Sequence, residues 1–165
     1  MIDEVKRVAC VGSGLVGQGW AALYALKGYE VVLQDLTEEK LAEAVGRVSH
    51  HIDVLVGAGL GSDPVAAKKR LSKTTSLKEA LKGADFVTES VFESLDVKRP
   101  LYAEMDEIAP KEVILASSTS GFMMSDISRD MKKHPERAIV AHPWNPVHLV
   151  PLVELSPSPK TSMRP

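Results

Sequence analysis

A doubly wound α/β fold, with a mainly parallel sheet and helices on both faces, is what this sequence predicts, and three observations predict it. Short apolar runs alternate with helix-period segments along the whole chain, the pattern of strands joined by crossover helices. Glycines punctuate the first strand-to-helix junction at a spacing that allows strand, turn and helix to pack closely. At 165 residues the chain suits one domain, able to bury roughly 70% of its unfolded surface.

The first strand is the apolar run Val8-Ala9-Cys10-Val11, and Gly12-Ser13-Gly14-Leu15-Val16-Gly17 follows it directly. In such a run Gly12 makes the tight turn, Gly14 lets backbone approach a pyrophosphate, and Gly17 lets the next helix lie close to the strand. The free amides and positive dipole end of that helix favour phosphate. Val16, Trp20, Leu23 and Tyr24 fall at helical spacing, and Gly28 ends the helix. A second strand over 31–34 is closed by Asp35, at about the distance where an acid accepts hydrogen bonds from an adenosine ribose. The acid would repel a 2′-phosphate, and Leu36 rather than an arginine follows it. Strand, glycines, helix, strand and acid in this order predict a Rossmann-like site for NAD rather than NADP.

Thr37 can cap a helix carrying Leu41, Val45, Val48, Ile52 and Val56 on one face, broken by Gly57 and Gly59. Asp63-Pro64 reads as the cap and first position of a short helix to about Leu71. A brief strand at Thr74-Thr75 and a helical turn over 77–81 follow. Residues 86–91 read as a strand. The next helix carries Leu101, Met105 and Ile108 on one face, with Pro100 tolerable only near its start. A strand over 113–116 opens into the polar run Ser117-Ser118-Thr119-Ser120-Gly121. A helix over 125–131 leads to a strand over 138–141 that ends in His142, and residues 150–155 can add an edge strand. The dinucleotide domain is expected to span 1–156. Residues 157–165, rich in Ser and Pro, have the composition of a linker or a disordered tail.

Glu93, Ser120, His142 with Asn145, and Glu154 lie at or near carboxyl ends of expected strands, the rim where open α/β sheets bind ligands. His142 is the natural general base, since imidazole titrates near neutrality and can take a hydroxyl proton as hydride leaves the same carbon. Glu154 can orient it if the intervening Pro-rich loop returns as a hairpin. Ser120 and Asn145 can hydrogen-bond a substrate oxygen or a nicotinamide amide. His50 and His51 read as surface residues, and Trp20 as helix packing.

Bulk properties exclude several classes. A net charge of −2, with 25% charged residues of both signs, points to neither nucleic acid nor an anionic membrane. No run approaches the ~20 apolar residues that span a bilayer. The single cysteine, Cys10, excludes an internal disulfide framework and multi-thiolate metal sites, so no metal is expected. With the acidic start Met1-Ile2-Asp3-Glu4, unlike a signal peptide, this predicts a cytoplasmic setting.

VGSGLVGQGWA with Asp35, the run Glu93-Ser94-Leu95-Asp96-Val97-Lys98, Ser117 to Ser120, and AHPWNPVHLVPLVEL from Ala141 to Leu155 together resemble a known family. The chain looks like the nucleotide-binding domain of the L-3-hydroxyacyl-CoA dehydrogenases, in the branch holding lambda-crystallin (L-gulonate 3-dehydrogenase) and carnitine dehydrogenase. The resemblance implies His142 as catalytic base, Glu154 as its partner, Ser120 near the substrate oxygen and nicotinamide, and Asn145 as the asparagine of the HxxNP motif. It implies Glu93 and Lys98 near the nicotinamide ribose and substrate entrance. The implied reaction is NAD-dependent oxidation of a secondary 3-hydroxyl on a small hydroxy acid, such as a sugar acid or carnitine, or on an acyl-CoA. The family also implies a helical C-terminal domain, absent from this sequence, which would have to be supplied as a further domain or a subunit in trans. An oligomer is compatible with the reading. The alternative is a non-catalytic NAD-binding or structural protein, as crystallin recruitment would imply.

Overall fold

The computed structural model describes residues 5–162. Its single sheet has seven strands in the order β3-β2-β1-β4-β5-β6-β7. They are β1 (Arg7–Val11), β2 (Glu30–Gln34), β3 (Leu71–Thr74), β4 (Phe86–Glu89), β5 (Ile114–Ser117), β6 (Ala138–Pro143) and β7 (Val153–Pro157). The first six run parallel, and β7 returns antiparallel beside β6. Between them lie α1 (Leu15–Leu26), α2 (Glu38–Gly57), α3 (Pro64–Lys69), α4 (Leu77–Leu81), α5 (Leu95–Ile108) and α6 (Met124–Ile127). This is the doubly wound architecture expected from the alternation.

Strand periodicity assigns each apolar residue to a face. Val8 and Cys10 of β1, with Val31 and Leu33 of β2, pack under Trp20 and Ala21 of α1 and Leu41, Val48 and Ile52 of α2. Ala9 and Val11, with Val87 and Leu115, face the other way onto Tyr102 and Met105 of α5 and Met124 and Ile127 of α6. Trp20 stacks on Tyr24 with ring centroids 5.2 Å apart, the packing role expected of it. Cys10 is fully buried, and burial pushes its thiol far up.

Several expected details shift. The buried stripe of α2 is Leu41, Ala44, Val48, Ile52 and Leu55, so the small Ala44 and Leu55 take the places expected for Val45 and Val56. The α5 stripe is Lys98, Tyr102, Met105 and Asp106, with Leu101 and Ile108 only flanking the core. Pro100 lies inside α5 rather than near its start. The helix begins at Leu95, and the carbonyl that Pro100 cannot serve belongs to exposed Asp96, on the solvent side of the helix. Residues 128–130, placed in a helix by their spacing, form a 3-10 turn after α6. β6 runs one residue past His142, because β7 extends the pairing to Pro143.

Pro157, assigned to the tail on composition, closes β7. Beyond it the Thr161 hydroxyl donates to the Ala138 carbonyl (2.7 Å) and the Ser162 amide to the Glu136 carbonyl (2.7 Å), so this segment runs against the sheet. The remainder of the expected tail, residues 163–165, and the acidic start at 1–4 lie outside the described residues.

Candidate active site

The glycine turn behaves as its spacing demands. Gly12 has a φ of +95°, and a Cβ there would meet the Ser90 backbone at 2.6 Å. A Cβ at Gly17 would fall 2.0 Å from the Gly12 carbonyl oxygen, so only glycine lets α1 start this close to β1. Gly14 differs: its backbone is extended, and nothing lies within 4 Å of where a Cβ would point. The start of α1 is thus an open cradle of backbone amides. A pyrophosphate fits it, and a side chain would fill it.

Asp35 closes this cradle on the β2 side. Its carboxylate accepts from the Ser13 amide (2.9 Å), the Ser13 hydroxyl (2.7 Å) and the Leu36 amide (2.7 Å). Partial burial pushes the Asp35 carboxyl up, but these bonds and the Lys40 ammonium outweigh it and hold it below the usual carboxylate value. Leu15 and Leu36 flank the turn as exposed apolar side chains.

Val16 links the cradle to a cleft of about 210 Å³ over the carboxyl ends of β1, β4, β5 and β6, also lined by Ser90, Val91, Glu93, Lys98, Ser118, Ser120, His142, Pro143 and Asn145. Ser120, on the loop after β5, therefore lines the same cleft as His142 and Asn145. Glu154 stands directly opposite His142 in the β6–β7 register, and its Oε2 is 3.1 Å from His142 Nδ1. The Pro-rich loop does return as a hairpin, and Nε2 is the ring nitrogen left for other work. The hairpin loop is itself tethered: Trp144 N donates to Leu152 O (3.1 Å), and Val147 packs on Gly19, where a Cβ would come within 2.9 Å of it.

Glu93 and Lys98 reach the cleft by way of a residue the sequence reading passed over. Glu89, at the end of β4, is fully buried, and accepts from Lys98 Nζ (2.7 Å), Ser117 Oγ (2.7 Å) and Val91 N (2.8 Å). Lys98 Nζ is also 3.2 Å from Glu93 Oε2. Glu93 in turn accepts from the Thr119 hydroxyl and the Ser120 amide (3.0 Å), so the chain of charges runs from the core to the loop bearing Ser120. Partial burial raises the Glu93 carboxyl, but Thr119, Lys98 and Ser120 together hold it below the usual value. The sequence signal for Glu89 was a carboxylate inside the expected strand 86–91, a position that burial permits only with a partner. His148, three residues beyond Asn145, packs on His51 with ring centroids 4.3 Å apart. Among the described residues no group of three or more His, Cys, Asp or Glu is placed to hold a metal ion. No described helix is long and apolar enough to cross a membrane.

Residues 7–164 match the family model "3-hydroxyacyl-CoA dehydrogenase, NAD binding domain". The chain belongs to the 3-hydroxyacyl-CoA dehydrogenase family. Within this family it is 40% identical, over 93% of its length, to L-carnitine dehydrogenase of Streptomyces griseus, covering 45% of that protein. It is also 40% identical, over 98% of its length, to L-carnitine dehydrogenase/betainyl-CoA thioesterase of Rhizobium meliloti, covering 32% of it. Among solved structures, 3-hydroxybutyryl-CoA dehydrogenase of Escherichia coli superposes with a TM-score of 0.90 at 32% identity, covering 97% of this chain and 34% of that one. The (S)-3-hydroxybutyryl-CoA dehydrogenase of Ralstonia eutropha gives 0.89 at 30% identity, covering 97% and 56%. The chain therefore spans between about a third and a half of the curated relatives it matches. The matched family domain is an NAD-binding domain, and NAD is the cofactor it takes, in agreement with the open turn at Gly14 and the acid at Asp35.

Proposed function

We propose that this domain supplies the cofactor site and the general base of a dehydrogenase that oxidises a secondary 3-hydroxyl on a small hydroxy acid or its thioester. The observation that carries the reading is the His142–Glu154 pair, held at 3.1 Å by strand register, with His142 on the wall of the cleft that meets the glycine turn. Gly12, Ser13, Gly14, Leu15, Val16 and Gly17 form the turn for the pyrophosphate, and Asp35 receives the adenosine ribose. When bound, NAD supplies the hydride acceptor. His142 Nε2 takes the substrate hydroxyl proton while Nδ1 donates to Glu154, which fixes the ring's tautomer and orientation. Ser120 and Asn145 orient the substrate oxygen. Glu93, clamped to Lys98, keeps the Ser120 loop in place. A helical domain following in the same polypeptide, or a separate subunit, would close the cleft and exclude water. The sequence likeness to L-carnitine dehydrogenases favours a 3-hydroxy acid over a long-chain acyl-CoA. The buried, single Cys10 suits a cytoplasmic setting.

The test is a steady-state assay of the full-length protein with NAD and either L-carnitine or 3-hydroxybutyryl-CoA, beside a His142→Gln variant. Turnover that falls roughly 10²–10⁴-fold in the variant supports the assignment. Turnover unaffected by the variant removes His142 from the mechanism, and a full-length protein that binds NADH without oxidising any 3-hydroxy substrate leaves the non-catalytic, crystallin-like alternative.

A further inference from the structure

We propose that Trp20 is a positioning residue of the cleft: its indole N–H sets the direction of the Ser90–Ser118 hydroxyl pair, so that Ser118 offers a bound cofactor a proton and no lone pair. The acceptor it takes is the carboxamide oxygen of the nicotinamide ring, and the inference rests on the NAD reading of the glycine turn.

Trp20 is 7% exposed, and its ring stacks on Tyr24 in the core under α1. Indole carries a single polar group, a donor that accepts nothing. Buried, it needs a partner, and a backbone carbonyl would serve. Here the partner is a side chain of the cleft wall: Nε1 donates to Ser118 Oγ at 3.2 Å. Ser90 Oγ donates to the same oxygen at 3.0 Å. Both serines are half-buried and line the cleft. A hydroxyl has two lone pairs and one proton. Two incoming donors fill the lone pairs of Ser118, and the proton is what remains. Among the described residues neither hydroxyl makes a further hydrogen bond. The Ser118 proton is therefore left for a ligand.

Location names that ligand. The sheet order β1-β4-β5-β6 puts Ser90, just after β4, and Ser118, just after β5, between the glycine turn and His142. Ser90 abuts the turn itself, since a Cβ at Gly12 would meet its backbone at 2.6 Å. A dinucleotide with its pyrophosphate at the turn and its reacting carbon at His142 has to cross the two serines. Its amide oxygen accepts and cannot donate, which suits a wall hydroxyl that donates and cannot accept. Hydrogen bonds in such a chain polarise one another, so the indole strengthens the proton that Ser118 offers. Without the indole N–H, Ser118 regains a lone pair and the pair can turn either way.

The experiment is a calorimetric titration of this chain with NADH and with ADP-ribose, which lacks the nicotinamide ring. It is run on the unaltered chain and on Trp20→Phe, Ser118→Ala and the double variant, each checked for folding by thermal unfolding. Trp20→Phe keeps the aromatic stack and drops the N–H. It should weaken NADH about fivefold and leave ADP-ribose unchanged. Ser118→Ala should do the same, and the double variant should bind NADH no more weakly than Ser118→Ala alone. A folded Trp20→Phe protein with unaltered NADH affinity overturns the proposal. Equal weakening of NADH and ADP-ribose overturns it too, because that marks a disturbed α1 and not a lost donor. A second measurement needs no variant: the thionicotinamide analogue of NADH, whose sulfur accepts poorly, should bind the unaltered chain about fivefold more weakly than NADH. Equal affinity overturns the amide as the acceptor. If the unaltered chain binds neither NADH nor ADP-ribose, the NAD reading itself fails and the role of Trp20 falls with it.

Discussion

The Lys98 ammonium lies 2.7 Å from a Glu89 carboxylate oxygen, and the two side chains are 1% and 0% exposed. Removing one partner of such a pair strands a charge, whereas replacing both with apolar groups is often tolerated. Glu89→Ala should therefore cost about 3 kcal/mol or more in urea unfolding, and Glu89→Leu combined with Lys98→Met should recover most of it. Equal losses in the single and double variants would show that shape, not charge, dominates here.

Gly14 and Gly17 separate binding from folding. Gly17→Ala drives a methyl into the Gly12 carbonyl, and should destabilise the domain by about 1–3 kcal/mol as well as abolish NADH binding. Gly14→Ala meets nothing, so its thermal stability should stay within about 0.5 kcal/mol of the parent while NADH binding is lost. A Gly14→Ala protein that binds NADH normally would place the pyrophosphate elsewhere.

The His51 and His148 rings, tilted against each other at 4.3 Å, give the hairpin loop a dependence on pH. Burial lowers both imidazoles below their usual value of 6.5, and His148, His50 and Arg47 add repulsion at His51. The fold holds these rings neutral more strongly than the unfolded chain does, so the unfolded chain binds more protons once pH drops below 6.5. Their stabilising contribution is full above that value and is lost as pH falls through the lower folded values. Denaturant midpoints should thus drop between pH 7 and pH 5, and His51→Phe should reduce that drop. An unchanged slope in the variant would assign the pH dependence to other groups.

Glu154 is 60% exposed where it meets His142, and exposed pairs contribute about 0–1 kcal/mol to stability. Its replacement by Gln should leave unfolding nearly unchanged, yet lower kcat of the full-length protein by roughly tenfold or more, since the ring then loses its anionic partner. A variant that unfolds early but turns over normally would make Glu154 a structural residue.

Much of this was legible because local chemistry dictated it. The glycine turn follows from backbone sterics, and Thr37 and Asp63 cap their helices through side-chain bonds that their residue types announce. Apolar runs mark the strands to within a few residues, except β3 (Leu71–Thr74), whose largely polar sequence placed it at Thr74-Thr75. What spacing could not reveal was set by distant partners. Glu89 looks like an anomaly within a strand until Lys98, Ser117 and Val91 are placed around it. The α5 face was misjudged for the same reason, because Lys98 and Asp106 go inward only where Glu89 and Arg137 are there to receive them. His142 and Glu154 could be named from the sequence, but their meeting depended on a hairpin register that no local signal specifies.

The opposition of His142 and Glu154 across neighbouring strands also divides the hairpin into two parts with different freedoms. Ladder bonds of β6 and β7 hold the pair, while residues 144–152 connect the strands and are pinned at Trp144, whose amide bonds Leu152, and at Val147, which packs on Gly19. With those anchors and the cleft-lining Asn145 kept, the rest of the connection can be lengthened, shortened or rewritten while the pair stays where it is. For anyone wishing to retarget the chemistry, the loop is the place to diversify and the two strands are the part to leave alone.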